Sequence, residues 1–147
     1  MMDDRKLVLY IASSLDGYIA TKDHQLDWLF SVEGEGDNGY SAFYDTVDTI
    51  LIGRVTYDWI MEHENGAFPY QGKECYVFSR AKKEDNEQVT FLQEKLVDEL
   101  IVTVTPVILG EGIPLFQNNK VPIPLSLKNM TRYNQFVSLH YEACKVC

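Results

Sequence analysis

The sequence predicts an α/β protein on a mixed sheet, parallel at its centre and closed by an antiparallel C-terminal hairpin. Three observations carry that prediction. Residues 7–12, "LVLYIA", form a continuous apolar run of the kind found in strands covered on both faces. Through the first half, such runs alternate with segments of helical spacing, the pattern of parallel strands joined by crossovers. Near the C-terminus, "PLSLKNMTRY" and "QFVSLHYEA" alternate around Asn134, as the arms of an antiparallel hairpin do.

The remaining elements follow in order. Asp16-Gly17 in "SSLDGYIA" is a turn signal, and "LDWLF" reads as a short helical turn. "SVEGEGDNG" is an acidic, glycine-containing loop of the kind that serves as a mobile site loop. Tyr40, Phe43, Tyr44 and Val47 recur at helical spacing. Thr49–Ile52 is a short buried strand, followed by a helix from about Thr56 to Met61. "FPYQGKE" is a turn, and "CYVFS" is a strand ending at Ser79-Arg80. After the charged "AKKEDNEQ" come a strand-like "VTF", a helical "LQEKLVDEL", a β-branched strand "LIVTVTPVIL" and the loop "GEGIPLF".

The bulk composition narrows the function. A chain of 147 residues fits one domain. It can bury roughly 68–70% of its unfolded surface without staples. Its net charge of −9 argues against a general binder of nucleic acid or of acidic membranes. One local cation still suffices for a small phosphorylated ligand. Three cysteines, sparse and odd in number, suit a reducing compartment such as the cytoplasm. Asp3 and Asp4 spoil the basic flank a signal peptide needs, so the first apolar run reads as a buried strand. No stretch approaches the ~18–20 apolar residues of a membrane helix.

Two strand ends carry chemistry. In a parallel sheet, ligands bind beyond the carboxyl ends of the strands. Gly53 stands at such an end, where a missing Cβ allows close approach. The helix that follows offers free N–H groups and a partial positive charge. Arg54 adds a fork of donors suited to phosphate, and Thr56 can cap the helix or bind the same anion. Taken alone, the segment fits a plain turn with a surface arginine somewhat better than an anion site. Ser79 and Arg80 repeat the arrangement at the next strand end. Two such ends point to a phosphate-rich dinucleotide.

One junction is physically odd. Phe91 leads directly into Leu92, with no residue to turn the chain or cap the helix. A strand-to-helix reversal takes ~2–6 loop residues.

"YIASSLDGYIA", "DTILIGRVTYDWI", "KECYVFSR" and "EKLVDELIVTVTPVILGEGIPLF" resemble the dihydrofolate reductase fold. They are most similar to bacterial dihydrofolate reductase family proteins related to the C-terminal reductase domain of riboflavin biosynthesis. The pieces cover most of the chain in the expected order. The resemblance implies a three-layer αβα fold, a homodimer, and NADPH-dependent reduction of a pterin-like or pyrimidine-like heterocycle. It places Ala12 and Ile19 beside the nicotinamide. Gly53, Arg54 and Thr56 fall on the cofactor phosphates, and Ser79 and Arg80 near the adenosine 2′-phosphate. Two arginines near phosphates favour NADPH over NADH. Family members carry a further helix, a central strand and a glycine-rich turn before the helix matching "LQEKLVDEL". Their absence points to a segment of ~25–35 residues, the size of such an insert, missing between Phe91 and Leu92. The alternative is a relative with impaired cofactor binding and weak or no activity. A third reading, a flavin-type binding module, predicts a yellow protein.

For proton delivery the resemblance points to a carboxylate ahead of the "GR" strand, and Asp37 lies sixteen residues before Gly53. Burial there would raise its pKa. Glu33 and Glu35 stand nearby, so a solvated loop acid or a helix cap accounts for Asp37 as well. The resemblance gives Asp16 a part in shaping the loop over the nicotinamide. Trp28, Tyr40 and Phe43 can floor a flat heterocycle or simply pack the core. The C-terminal "CKVC" lacks the context of a redox pair and the further ligands of a zinc site. His24, His63 and His140 show no metal-ligand spacing.

Overall fold

A computed structural model describes residues 5–63, 70, 72–78, 97–116 and 122–143. The chain divides into two compact units, residues 39–84 and the remainder on either side of them.

The larger unit holds a four-stranded mixed sheet. Its strands are β1 (Val8–Ser14), β5 (Glu99–Thr105), β7 (Leu125–Tyr133) and β8 (Phe136–Ala143), in the order β1-β5-β8-β7. β1 and β5 run parallel with Val8 opposite Glu99 and Ser14 opposite Thr105. β5–β8 and β8–β7 are antiparallel, so the parallel start and the antiparallel hairpin meet in one sheet. Asn134 makes the hairpin turn at φ 57°, a left-handed conformation that asparagine tolerates. A second ladder pairs β2 (Tyr18–Ala20) with β6 (Ile113–Pro114). α1 (Asp27–Phe30) is a single turn, and the indole N–H of Trp28 donates back to the Gln25 carbonyl at 3.2 Å.

One apolar cluster of this unit forms on one face of the sheet. Val97 and Leu100 are buried against Leu7, Leu9, Val102, Ile123 and Tyr141. The opposite face carries a buried carboxylate, Glu99. Its Oε2 accepts from Lys6 Nζ at 2.9 Å and Lys128 Nζ at 3.3 Å, and its Oε1 lies 2.6 Å from His140 Nε2. A buried charge persists only when paired and hydrogen-bonded, and here three partners meet that need.

Residues 39–84 contain α2 (Tyr40–Tyr44), β3 (Thr49–Gly53), α3 (Arg54–His63) and β4 (Glu74–Phe78). β3 and β4 are parallel, with Thr49 opposite Glu74 and Gly53 opposite Phe78. Lys73 extends its ammonium to the carbonyls of Tyr44 and Val47 and lies 4.5 Å from the centre of the Tyr44 ring. It thereby adds a second donor to the Tyr44 carbonyl, which already accepts the Val47 N–H, and ties down the chain after α2. Tyr70 stacks on Tyr44, and burial pushes its phenol up to about 12.

Several boundaries differ from the sequence reading. "LQEKLVDEL" reads as a helix through Leu100, yet Glu99 and Leu100 are the first residues of β5, drawn into the sheet by Val8 and Leu9. β5 stops at Thr105, because Pro106 has no N–H to continue the ladder. α3 begins at Arg54, two residues earlier than expected, so Thr56 is its third residue and not its cap. Ser79, Arg80, the Phe91–Leu92 junction and "CKVC" lie outside the described residues.

Candidate functional site

The carboxyl ends of β1 and β5 are joined by a dense set of hydrogen bonds. Ser14, at the end of β1, is 1% exposed. Its hydroxyl donates to Asp16 Oδ1 at 2.6 Å and accepts the Tyr18 N–H at 2.9 Å. Asp16 also accepts the backbone N–H groups of Leu109 at 3.2 Å and Gly110 at 2.9 Å. These bonds, led by the Ser14 hydroxyl, hold the Asp16 carboxyl below the usual carboxylate range. The Leu15 N–H donates to Val107 O at 2.8 Å, and the Leu115 N–H to Gly17 O at 2.9 Å. Gly112 completes the junction at φ 154°, where an added Cβ would stand 2.4 Å from the Ala20 carbonyl oxygen. Ala12 in β1 and Ile19 in β2, both half-buried, flank this joint.

The acidic loop is anchored rather than free. The Asn38 side chain accepts the Glu35 N–H at 2.9 Å, and an added Cβ on Gly34 would run into that side chain. Glu35 Oε1 accepts the Asn134 N–H at 2.8 Å, and Glu33 O accepts the Gln135 N–H at 3.3 Å. Glu33 and Glu35 therefore fasten the loop to the tip of the β7–β8 hairpin. Asp37 lies on the same loop and is exposed, not buried as a proton donor of raised pKa would be.

In the other unit, β3 passes into α3 with no intervening loop. Gly53 is extended and paired with Phe78, and Arg54 opens the helix. The Arg54 side chain is 60% exposed, and its Nε donates to Asp58 Oδ1 at 2.9 Å. Its terminal nitrogens carry four further donors in the fork. Thr56 is exposed on the first turn. Tyr40 is exposed and Phe43 half-buried on α2, where burial raises the Tyr40 phenol. Trp28 is half-buried, with its N–H used within its own turn.

Among the described residues, no group of three or more His, Cys, Asp and Glu is placed to hold a metal ion. No described helix is long and apolar enough to cross a membrane.

Sequence reasoning missed Ser14 and Glu99. The backbone partners of Asp16, Leu109 and Gly110, stand more than ninety residues away in the chain, and no local pattern announces them. For Glu99 the available signal was a charge directly before a β-branched run.

The mixed sheet, its strand order and the hydrogen-bonded strand ends fit an α/β domain of the dihydrofolate reductase type. Residues 88–139 match the RibD C-terminal domain. An uncharacterized protein of Bacillus subtilis (strain 168), YwjB, is 42% identical over 171 residues, covering 94% of this chain and 98% of its own. A putative riboflavin biosynthesis protein from Shewanella sp. PV-4 superposes with a TM-score of 0.83 at 26% identity, covering 96% of this chain and all of that one. RibD from Acinetobacter baumannii superposes with a TM-score of 0.62 at 16% identity, over 95% of this chain and 58% of its own. The chain belongs to the family of YwjB and of the RibD C-terminal domain. Against YwjB, 94% of 147 residues is about 138, set against 171 aligned positions, so about 33 positions have no residue in this chain.

Proposed function

We propose that the protein is an NADPH-dependent reductase of a pterin-like or pyrimidine-like heterocycle. The observation that carries the reading is the direct passage of β3 into α3 at Gly53-Arg54, with the Arg54 guanidinium exposed at a helix start. Free N–H groups, a helix dipole and a guanidinium together suit a pyrophosphate. In this reading Gly53, Arg54 and Thr56 hold the cofactor phosphates, with Ser79 and Arg80 near the 2′-phosphate. Ala12 and Ile19 face the nicotinamide, while Trp28, Tyr40 and Phe43 receive the flat substrate. Asp37 supplies or relays the proton that accompanies reduction. NADPH, when bound, supplies the hydride. The protein acts in the cytoplasm as a homodimer.

A segment of about 33 residues between Phe91 and Leu92 belongs to the same proposal. Its support is the missing turn at that junction and the unfilled positions against YwjB. An intact mass of the natural polypeptide that matches 147 residues overturns this part. It would favour the second reading, a weak or inactive nucleotide-binding relative.

Titration calorimetry with NADPH tests the function. Micromolar or tighter binding by the wild type, weakened by about 1.5–3 kcal/mol in Arg54→Ala, supports the cofactor site. A folded wild type that does not bind NADPH overturns it.

A further inference from the structure

We infer that Tyr40 donates a hydrogen bond to an acceptor on the flat heterocycle, a ring nitrogen or a carbonyl oxygen, and that Tyr70 is the positioning residue that holds its hydroxyl for this. The inference deepens the reductase reading and rests on it, since that reading gives Tyr40 to the substrate.

Every residue involved belongs to the unit of residues 39–84. Tyr40 and Tyr44 stand four apart on α2, so their side chains share one face of the helix. Their ring centres are 5.7 Å apart, and Tyr70 stacks on Tyr44 at 6.2 Å. Lys73 holds the middle ring, with its ammonium 4.5 Å from the Tyr44 ring centre and bonded to the Tyr44 carbonyl. The hydroxyls of Tyr40 and Tyr70 share a hydrogen bond. Stacking alone needs no hydroxyl, and phenylalanine at both positions would serve it.

The direction of that bond follows from the surroundings of the two phenols. Burial pushes Tyr70 up to about 12, and the bond to Tyr40 adds to the rise. Burial raises Tyr40 as well, but the bond from Tyr70 works against it. A hydrogen bond lowers the pKa of the acid that accepts it and raises that of the acid that donates it, so Tyr70 donates and Tyr40 accepts. Accepting does not use the Tyr40 proton. A hydroxyl that accepts one bond is polarised to donate the next more strongly. Tyr40 is 39% exposed, the member of the pair that a ligand can reach. The pair therefore offers an oriented donor, which favours rings that carry an acceptor.

The probe is lumazine, a pteridine-2,4-dione with ring-nitrogen and carbonyl acceptors, followed by its own fluorescence. It is titrated into the wild type, Tyr40→Phe, Tyr70→Phe and the double variant, with thermal melts confirming that each is folded. NADPH is titrated separately into all four. The expected loss of lumazine affinity is about tenfold in Tyr40→Phe and about threefold in Tyr70→Phe. Adding Tyr70→Phe to Tyr40→Phe should cost nothing further, because Tyr70 acts through the Tyr40 hydroxyl. NADPH affinity should stay the same throughout. Undiminished lumazine binding in Tyr40→Phe overturns the inference. So does a loss from Tyr70→Phe that is equal with and without the Tyr40 hydroxyl, which is what a merely structural role gives. A wild type that binds NADPH but not lumazine overturns the inference and leaves the cofactor reading standing. A wild type that binds neither overturns both.

Discussion

Arg54 donates through Nε to Oδ1 of Asp58 at 2.9 Å, one turn further along α3. The bond holds the guanidinium beside the first turn of the helix and leaves the terminal nitrogens of its fork as donors. Both side chains are 60% exposed, so the pair adds little to folding. Its cost falls on the proposed ligand, because a carboxylate stands close to where a phosphate would lie. In water, unit charges ~6–7 Å apart interact by about 0.6 kcal/mol.

Asp58→Ala is therefore expected to change unfolding free energy by less than about 0.5 kcal/mol. It should tighten NADPH binding by about threefold at low salt, the Coulomb estimate above expressed as affinity. The gain should fade as ionic strength rises. Denaturant melts and calorimetry at two salt concentrations read both effects. Weaker binding at low salt would show that Asp58 orients Arg54 more than it opposes the anion.

Glu99 ties low-pH stability to a single site. Burial works against its charge, but hydrogen bonds from Lys6, His140 and Lys128 outweigh that and bring its pKa from 4.5 down to about 2. A carboxyl with a depressed folded pKa contributes stability that is fully present above its unfolded value. That contribution is lost as pH falls from about 4.5 through about 2. Glu99→Gln cannot titrate, so its stability should fall less steeply over that window than the wild type's. Urea melts at pH 5, 4 and 3 should show the two curves converging. Parallel curves would mean the Glu99 cluster contributes nothing to the acid limb.

What was legible in the sequence was local. The apolar run of β1, the alternation of the hairpin and the strand before Gly53 all declare themselves within a few residues. The Glu99 site was not legible, because "LQEKLVDEL" has helical spacing and only pairing with Val8 and Leu9 draws its last two residues into a strand. The start of α3 is not legible locally, because Thr56 is a good cap by type, while Arg54 enters the helix straight from the strand. Asp16 was legible as a turn former but not as a tie, since its acceptor role depends on a loop more than ninety residues away. The acidic loop looked mobile by composition, and its anchor, the Asn134 turn, belongs to a distant hairpin.

Gly112 is a steric requirement of the β2–β6 ladder. An added Cβ would lie 2.4 Å from a backbone oxygen of Ala20, and backbone cannot swing aside as a side chain can. Its φ of 154° adds a conformational cost for any L-residue. Gly112→Ala should destabilise by about 3 kcal/mol or more, combining strain with loss of the ladder. Gly17→Ala offers a control, because φ is 91° there but open space surrounds the new methyl. It should cost about 1–2 kcal/mol, the left-handed penalty alone. Chemical denaturation of both variants checks the order, and equal losses would mean that the 112–20 approach relaxes freely.

Thr105 ends β5 opposite Ser14 and is fully buried, yet its hydroxyl has no hydrogen-bond partner among the described residues. Desolvating a hydroxyl without a partner costs about 1–3 kcal/mol, while its methyl packs like that of a valine. Thr105→Val removes the unmet donor and nearly preserves shape. It should stabilise the fold by about 1 kcal/mol, a rise of a few degrees in Tm for a chain of this size. Thr105→Ser keeps the hydroxyl and removes the methyl, so it should destabilise by about 1 kcal/mol through the cavity it leaves. The pair separates the two contributions at one position. If valine destabilises instead, the hydroxyl is hydrogen-bonded in solution, and a buried water at the end of β5 is the partner to look for.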